Sequence, residues 1–193
     1  MACTDGITAA ITSDCTTSRG GGLEVEAWAF NRTDIDITYS GSTNLITDIS
    51  KPAGVTAAVG FKLKGVRRLF NAGNDVVISE DRPKKWSHFF SMQQFEVLAA
   101  DTANVDGFND LVIVVERKDK TTSGNGVLVV LGAKNGLYKS ADTQRENDKN
   151  GARSIELKSL SGQEEMFSQY IYLDPGGLQD SKDNLESLLV VTP

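Results

Sequence analysis

The segment Leu131 to Asp148, LGAKNGLYKSADTQREND, sets two glycines ahead of a Lys-Ser pair, the raw material of a phosphate-binding loop. That chemistry needs Gly-x-x-x-x-Gly-Lys-Ser/Thr, in which backbone N–H groups wrap the phosphates and the lysine directly after the last glycine reaches them. Here Gly132 and Gly136 stand one residue too close, and Leu137 and Tyr138 separate Gly136 from Lys139. No apolar helical stripe follows, so the segment reads instead as a strand, a tight turn and a polar loop. General acid–base chemistry would use paired carboxylates, and Glu24 with Glu26 and Asp34 with Asp36 each share a strand face, because alternate residues do. Acids at every second position are also what the wet face of a half-exposed strand carries, and that is the reading taken. The single histidine, His88, lies in WSHFFS and is expected to pack among its aromatic neighbours; no Gly-x-Ser-x-Gly elbow accompanies it. Asp142, Glu146 and Asp148 could gather around calcium, but the EF-hand spacing is absent and a solvated loop is expected. Cys3 and Cys15 match no zinc pattern and are expected to be reduced thiols. No cofactor, metal or catalytic set is expected.

Composition sets the class. The 193 residues are 39% hydrophobic and 24% charged, which suits one folded domain. The net charge of −6 falls mostly in the second half: residues 1–97 hold eleven acids and ten bases, residues 98–193 fifteen acids and ten bases. A protein that grips nucleic acid by neutralising phosphates would be basic, so tight nucleic-acid binding is not expected. An acidic wall can instead let DNA slide past. No apolar run reaches the ~20 residues of a membrane helix, and the opening segment lacks the pattern of a secretory signal, which predicts a cytosolic product with no membrane partner.

Alternation of period two dominates the elements that must carry these residues. GLEVEAWAF places Leu23, Val25, Ala27 and Ala29 on one face, and Glu24, Glu26, Trp28 and Phe30 on the other. DIDITYSG, VGFKLKGVRRLF and WSHFFSMQQFEVL read as further strands. Between the last two lies NAGNDVVISEDRPKK, with Gly73, Pro83 and a cluster of charges, and it is read as a long functional loop over residues 71–85. ADTANVDGFNDL is the best short helix, capped by Asp101 or Thr102. LVIVVERK and VLVVLGA form the clearest hairpin, the first buried on both faces, and ARSIELKSL with MFSQYIYLD is read as another. Beyond PGG at 175–177, Leu185, Leu188 and Leu189 mark an apolar stripe on a helical turn or two, with Ser181 as cap. Such a tail docks either on a neighbouring chain or on its own domain. Arg67-Arg68 and Lys84-Lys85 make a small basic patch suited to pairing with acids on another copy.

The order of MACTDGIT, FNRTDI, WSHFF after a long loop, LVIVVERK after a short acidic helix, and VLGAKNGLYKSADTQREND…GARSIELKS resembles tail tube-like virion proteins of tailed bacteriophages, especially those of Bacteroides-type hosts. The likeness spans roughly residues 1–175. It implies a mainly β subunit, an antiparallel β-sandwich or barrel-like domain with one short flanking helix near Thr102–Asp110 and extended terminal arms. Such subunits form homohexameric rings whose strands join into one inner barrel, and the rings stack into a virion tube that passes DNA at genome ejection without specific binding. The domain would then comprise an N-terminal arm (1–22), a β core (23–174) and a C-terminal arm (175–193). The inter-ring loop would carry Asn71, Asp75, Glu80, Asp81, Arg82, Lys84 and Lys85. The arms, with Cys3, Cys15, Leu185, Leu188 and Leu189, would lie on neighbouring copies. Partners would be further copies and other tail proteins, after synthesis in the host cytoplasm. Lys62 and Lys64 would make the lumen partly basic if their face points inward. Competing readings are another ring, connector or capsid decoration protein; a carbohydrate-binding module that stacks sugars on Trp28, Trp86, Tyr170 and Tyr172; and, weakest, a hydrolase.

Overall fold

The apolar run Leu111–Val115 becomes the middle of the molecule because every one of its side chains is buried, whichever face it points to. The computed structural model describes residues 22–57, 59–64, 70–79, 82–94, 99–118, 126–144 and 152–189. Within them the strands are β1 (Leu23–Asn31), β2 (Asp36–Tyr39), β3 (Leu45–Ser50), β4 (Gly60–Lys64), β5 (Asn71–Ser79) and β6 (Arg82–Gln94). There follow helix α1 (Ala99–Asp106), strands β7 (Leu111–Arg117), β8 (Val127–Leu131), β9 (Tyr138–Gln144), β10 (Arg153–Lys158) and β11 (Tyr170–Tyr172), and helix α2 (Leu178–Leu188). They make a mainly β, sandwich-like fold: a seven-stranded sheet ordered β2-β3-β11-β8-β7-β1-β4 and a four-stranded sheet ordered β5-β6-β10-β9. Pairing is antiparallel except between β3 and β11.

Strand alternation divides the large sheet between two cores. Ala27, Ala29, Ile113, Val115, Val129 and Leu131 face the small sheet, where they meet Phe90, Ile155 and Leu157, with Val105 of α1 closing one end. Trp28, Phe30, Val112, Val114, Leu128, Val130, Tyr170 and Tyr172 point the other way, under Leu185, Leu188 and Leu189. The result is three layers: helix α2, large sheet, small sheet. At about 1.5–3 kcal/mol for each fully buried large apolar side chain, both cores are needed. The face of β1 expected to be wet is therefore apolar where it carries Trp28 and Phe30, since α2 covers it. The β7–β8 hairpin forms as expected, in register Val114↔Val130.

Several expectations are corrected. Residues 71–85 are not a long loop: 71–79 and 82–94 are two antiparallel strands paired from Asn71↔Ser91 to Ser79↔Arg82. The breakers misled because each has a local reason to sit in a strand. A Cβ on Gly73 would lie 2.9 Å from the ring of Phe89, so only glycine lets that ring cross it. Pro83 stands at the tip end of β6, where β10 no longer pairs with it. The β-branched run Val76-Val77-Ile78 supplies the strand preference between them. The polar loop expected after Gly136 becomes edge strand β9, and LITDIS forms a strand that alternation had not singled out. Segments 152–160 and 166–174 do not pair with each other; β10 joins β6 and β9, and β11 lies between β3 and β8. The short helix spans Ala99–Asp106 rather than Thr102–Asp110.

The C-terminal segment is no free arm. Leu185, Leu188 and Leu189 sit in the core of their own chain, 0%, 4% and 9% exposed. Trp28 Nε1 donates to Glu186 at 2.9 Å, Asn184 donates to the Tyr172 hydroxyl at 2.7 Å and Lys182 pairs with Glu116 at 2.7 Å, pinning α2 across the sheet. Ser181 lies inside the first turn and not at its cap; its hydroxyl donates to the Gly177 carbonyl and accepts from Asp174 N–H.

Candidate functional site

A buried group of titratable side chains lies where the small sheet meets the turn Gly132–Gly136. His88 on β6, Glu165 ahead of β11 and Tyr170 on β11 are each fully buried. Gly132, at φ 69°, takes a left-handed backbone that favours glycine, and its N–H donates to His88 Nδ1 at 3.2 Å. The other ring nitrogen, Nε2, is 2.9 Å from the Phe167 carbonyl and must therefore carry the proton, which fixes a neutral imidazole in one tautomer. Glu165 Oε1 accepts from the backbone N–H groups of Lys134 (3.1 Å) and Asn135 (3.0 Å), and Oε2 accepts from the Tyr170 hydroxyl (3.1 Å). Burial pushes His88 below its ordinary value, against the raising influence of the Phe167 carbonyl and of Glu165. Burial and the neighbouring carboxylate raise Tyr39 to about 12 and push Tyr170 up as well. Each of these polar atoms has its partner inside the protein, so the group acts as a polar weld between the sheets. The expected aromatic packing of His88 is present, edge-on to Tyr170 at 6.0 Å.

The other chemical candidates are dispersed or neutralised. Asp34 lies in a 3-10 turn and accepts from Asn31, whereas Asp36 opens β2, so the two do not share a strand. Glu26 pairs with Lys62 at 3.0 Å, and Lys62 also reaches Glu186 at 2.7 Å and lies over the Trp28 ring. Lys62 is thus satisfied on the large sheet. Asp142 does not gather calcium ligands; it takes a two-pronged pair from Arg153, whose guanidinium also reaches Asp106, with Lys139 at 3.1 Å. The Arg153 bonds hold Asp142 below the usual carboxylate range, and Asp142 and Asp106 raise Arg153. This cluster ties the end of α1 to the small sheet. Glu146 and Asp148 lie outside the described residues. Among the described residues no three His, Cys, Asp or Glu side chains are placed to hold a metal ion. Trp28, Tyr170 and Tyr172 are buried and Trp86 half-buried, so the proposed sugar-stacking aromatics form no exposed platform. A cleft of about 310 Å³ opens between the sheets beside β5, lined in part by Leu23, Phe70, Asn74, Val115, Arg117 and Gln169.

The small sheet presents two edges. Among the described residues β5 pairs only with β6, and β9 only with β10, leaving a nine-residue and a seven-residue edge open. β10 pairs with β6 only from Phe89 to Gln94, so the outer part of the β5–β6 hairpin extends past it, with Val76 and Ile78 45% and 72% exposed. Asn71 and Asp75 lie on β5, and Arg82, Lys84 and Lys85 on β6. Glu80 and Asp81 lie outside the described residues, as do Cys3 and Cys15. By register, the face turned away from the core carries Asp75 and Glu156 against Lys85 and Lys158, with Ser91, Gln93, Thr143 and Ser154 between them. Lys158 stands 3.7 Å from Asp75, Ser140 bonds Glu156 at 3.1 Å, and the two acids named on this face match its two lysines in number.

Glu165, Arg153 and Asp106 escaped the sequence reading. Glu165 sits in SGQEE beside an identical residue, and only the fold distinguishes the buried glutamate from its neighbour. Arg153 is 47 positions from Asp106, with no shared motif. No helix among the described residues is long and apolar enough to cross a membrane. Comparison of the chain with protein-family models, curated proteins and solved structures gives no match.

Proposed function

We propose that this protein is a structural subunit of a bacteriophage tail tube, six copies of which close a ring, and that stacked rings conduct DNA during genome ejection. The observation that carries the reading is the small sheet, with an even number of antiparallel strands and, among the described residues, both edges open. Because β5 and β9 run in opposite directions, copies related by rotation about an axis along the strands would join β9 to β5 antiparallel, with no copy inverted. Six copies would contribute about 24 strands; at about 4.8 Å per strand and the usual barrel tilt, the backbone ring would be about 45–50 Å across. Closure would remove both open edges, which otherwise invite aggregation. The charge-balanced outer face would then be the channel wall, offering DNA little to adhere to. The resemblance in residue order points the same way. The projecting hairpin takes the place of the expected inter-ring loop, with its exposed Val76 and Ile78 available to the next ring. A connector or capsid decoration protein would share the closed ring but would not stack.

A cross-linking experiment tests the joint. Val77→Cys on β5 and Thr143→Cys on β9, in a chain with Cys3 and Cys15 changed to serine, stand on opposite edges, three strand spacings apart across the sheet and, by register, eight residues apart along it (Lys85 to Gln93 on β6), about 30 Å in all. A thiol reagent spanning about 8 Å then joins different copies only. The expected product is a covalent ladder that ends at six. Monomer alone, or a smear without a limit, would remove the proposed joint.

A further inference from the structure

We propose that the His88 junction is a proton-operated latch, closed at neutral pH, that holds the base of the projecting β5–β6 hairpin to the body of the sandwich. The inference stands apart from the assembly reading.

The junction satisfies all of its polar groups in one arrangement. His88 offers a bare Nδ1 to Gly132 N–H and a protonated Nε2 to the Phe167 carbonyl. Its backbone is tied as well: His88 N–H donates to Ser159 Oγ at 3.1 Å, and Ser159 N–H donates to the His88 carbonyl at 3.0 Å. Two residues toward the tip, Trp86 exchanges backbone hydrogen bonds with Glu165 at 2.8 Å each way. The hairpin base, the Gly132–Gly136 turn and segment 159–169 therefore share one lock.

A second proton on the ring can only go to Nδ1, where Gly132 N–H already points. Two donors then face each other in a site with no room for water between them at 3.2 Å, and one must leave. Glu165 from segment 159–169 and Tyr170 from β11 face the ring; behind them stand Tyr39 of β2 and Lys134 of the turn, its ammonium 5.3 Å from the Tyr39 ring centre. The Glu165 carboxylate favours a charged imidazole, but its oxygens are already taken by the Lys134 and Asn135 amides and by the Tyr170 hydroxyl. Burial outweighs it, and the folded ring binds a proton less readily than an exposed one. The sign follows: the latch is fully held above the ordinary histidine range and weakens as pH falls below it, because the open form takes up the proton.

The test is amide hydrogen exchange of the full chain from pH 7.5 to 5, corrected for intrinsic rates, read at Gly132, His88 and Ser159 with Val114 of β7 as control. Uptake of one proton on opening approaches a tenfold loss of protection per pH unit below the ordinary histidine range, so up to about 30-fold between pH 7.5 and 5, with Val114 changing less. His88→Gln removes the titrating group and is expected to abolish the acid step. Should that variant fail to fold, nitrogen NMR of the native imidazole decides: a ring protonated at Nε2 alone at pH 7.5, titrating together with the release of Gly132, supports the latch. Constant Gly132 protection through pH 5, an imidazolium already present at pH 7.5, or an unchanged acid step in His88→Gln would overturn it.

Discussion

Replacing Leu185 and Leu188 together by alanine is expected to lower the melting temperature by more than about 10 °C and to leave much of the protein unfolded at 37 °C. Both side chains are buried against the Trp28, Phe30 and Tyr172 side of the large sheet. Each truncation removes apolar contact and leaves a cavity, at about 2–5 kcal/mol. The pair therefore takes a large share of the roughly 5–15 kcal/mol that keeps a domain folded. In a chain of this size about 2–4 °C is lost for each kcal/mol. Met166→Ala, at a side chain 65% exposed, provides the control and should change stability by no more than about 0.5 kcal/mol. Calorimetry of the dilute protein makes the comparison. A double variant that melts with the wild type would return α2 to the status of an arm that lies on a neighbour.

Glu165→Ala is expected to cost about 3–5 kcal/mol, while Glu165→Gln costs no more than about 1.5 kcal/mol. Alanine leaves two backbone N–H groups and one tyrosine hydroxyl without acceptors in a fully buried site. Glutamine keeps an oxygen for the Lys134 and Asn135 amides, and its NH₂ can donate to the Tyr170 oxygen. Urea titration of the two variants separates the contributions. Equal and small losses would mean that the turn is held by its backbone geometry, and the weld would lose its physical basis.

What could be read from the sequence is what local pattern dictates. Leu111–Val115 is apolar at every position, so it had to be buried on both faces, and the SGNG turn beyond it required the neighbour that β8 provides. That was enough to set the mainly β class. The β5–β6 hairpin was hidden because Gly73 and Pro83 are chain breakers in isolation. Only the ring of Phe89 crossing Gly73, a contact between paired strands, shows why a glycine belongs there. Helix α2 displayed its apolar stripe clearly, but an amphipathic tail does not specify which surface covers it. Trp28, whose indole bonds Glu186, is 158 positions away. The weld was illegible for the same reason: His88 looked like one more member of an aromatic strand, and the partners that define its tautomer, Gly132 and Phe167, come from two other segments. Open edges are a property of the finished sheet, so they emerged only with the strand order.

The central claim is that copies of this chain join β5 to β9, and images of the concentrated wild-type protein test it most directly. Negative-stain electron microscopy is expected to show closed end-on rings with six-fold class averages and, in side view, stacks of rings forming tubes. A field of single, ring-free particles at high concentration, monodisperse at the mass of one 20.8 kDa chain, would contradict it.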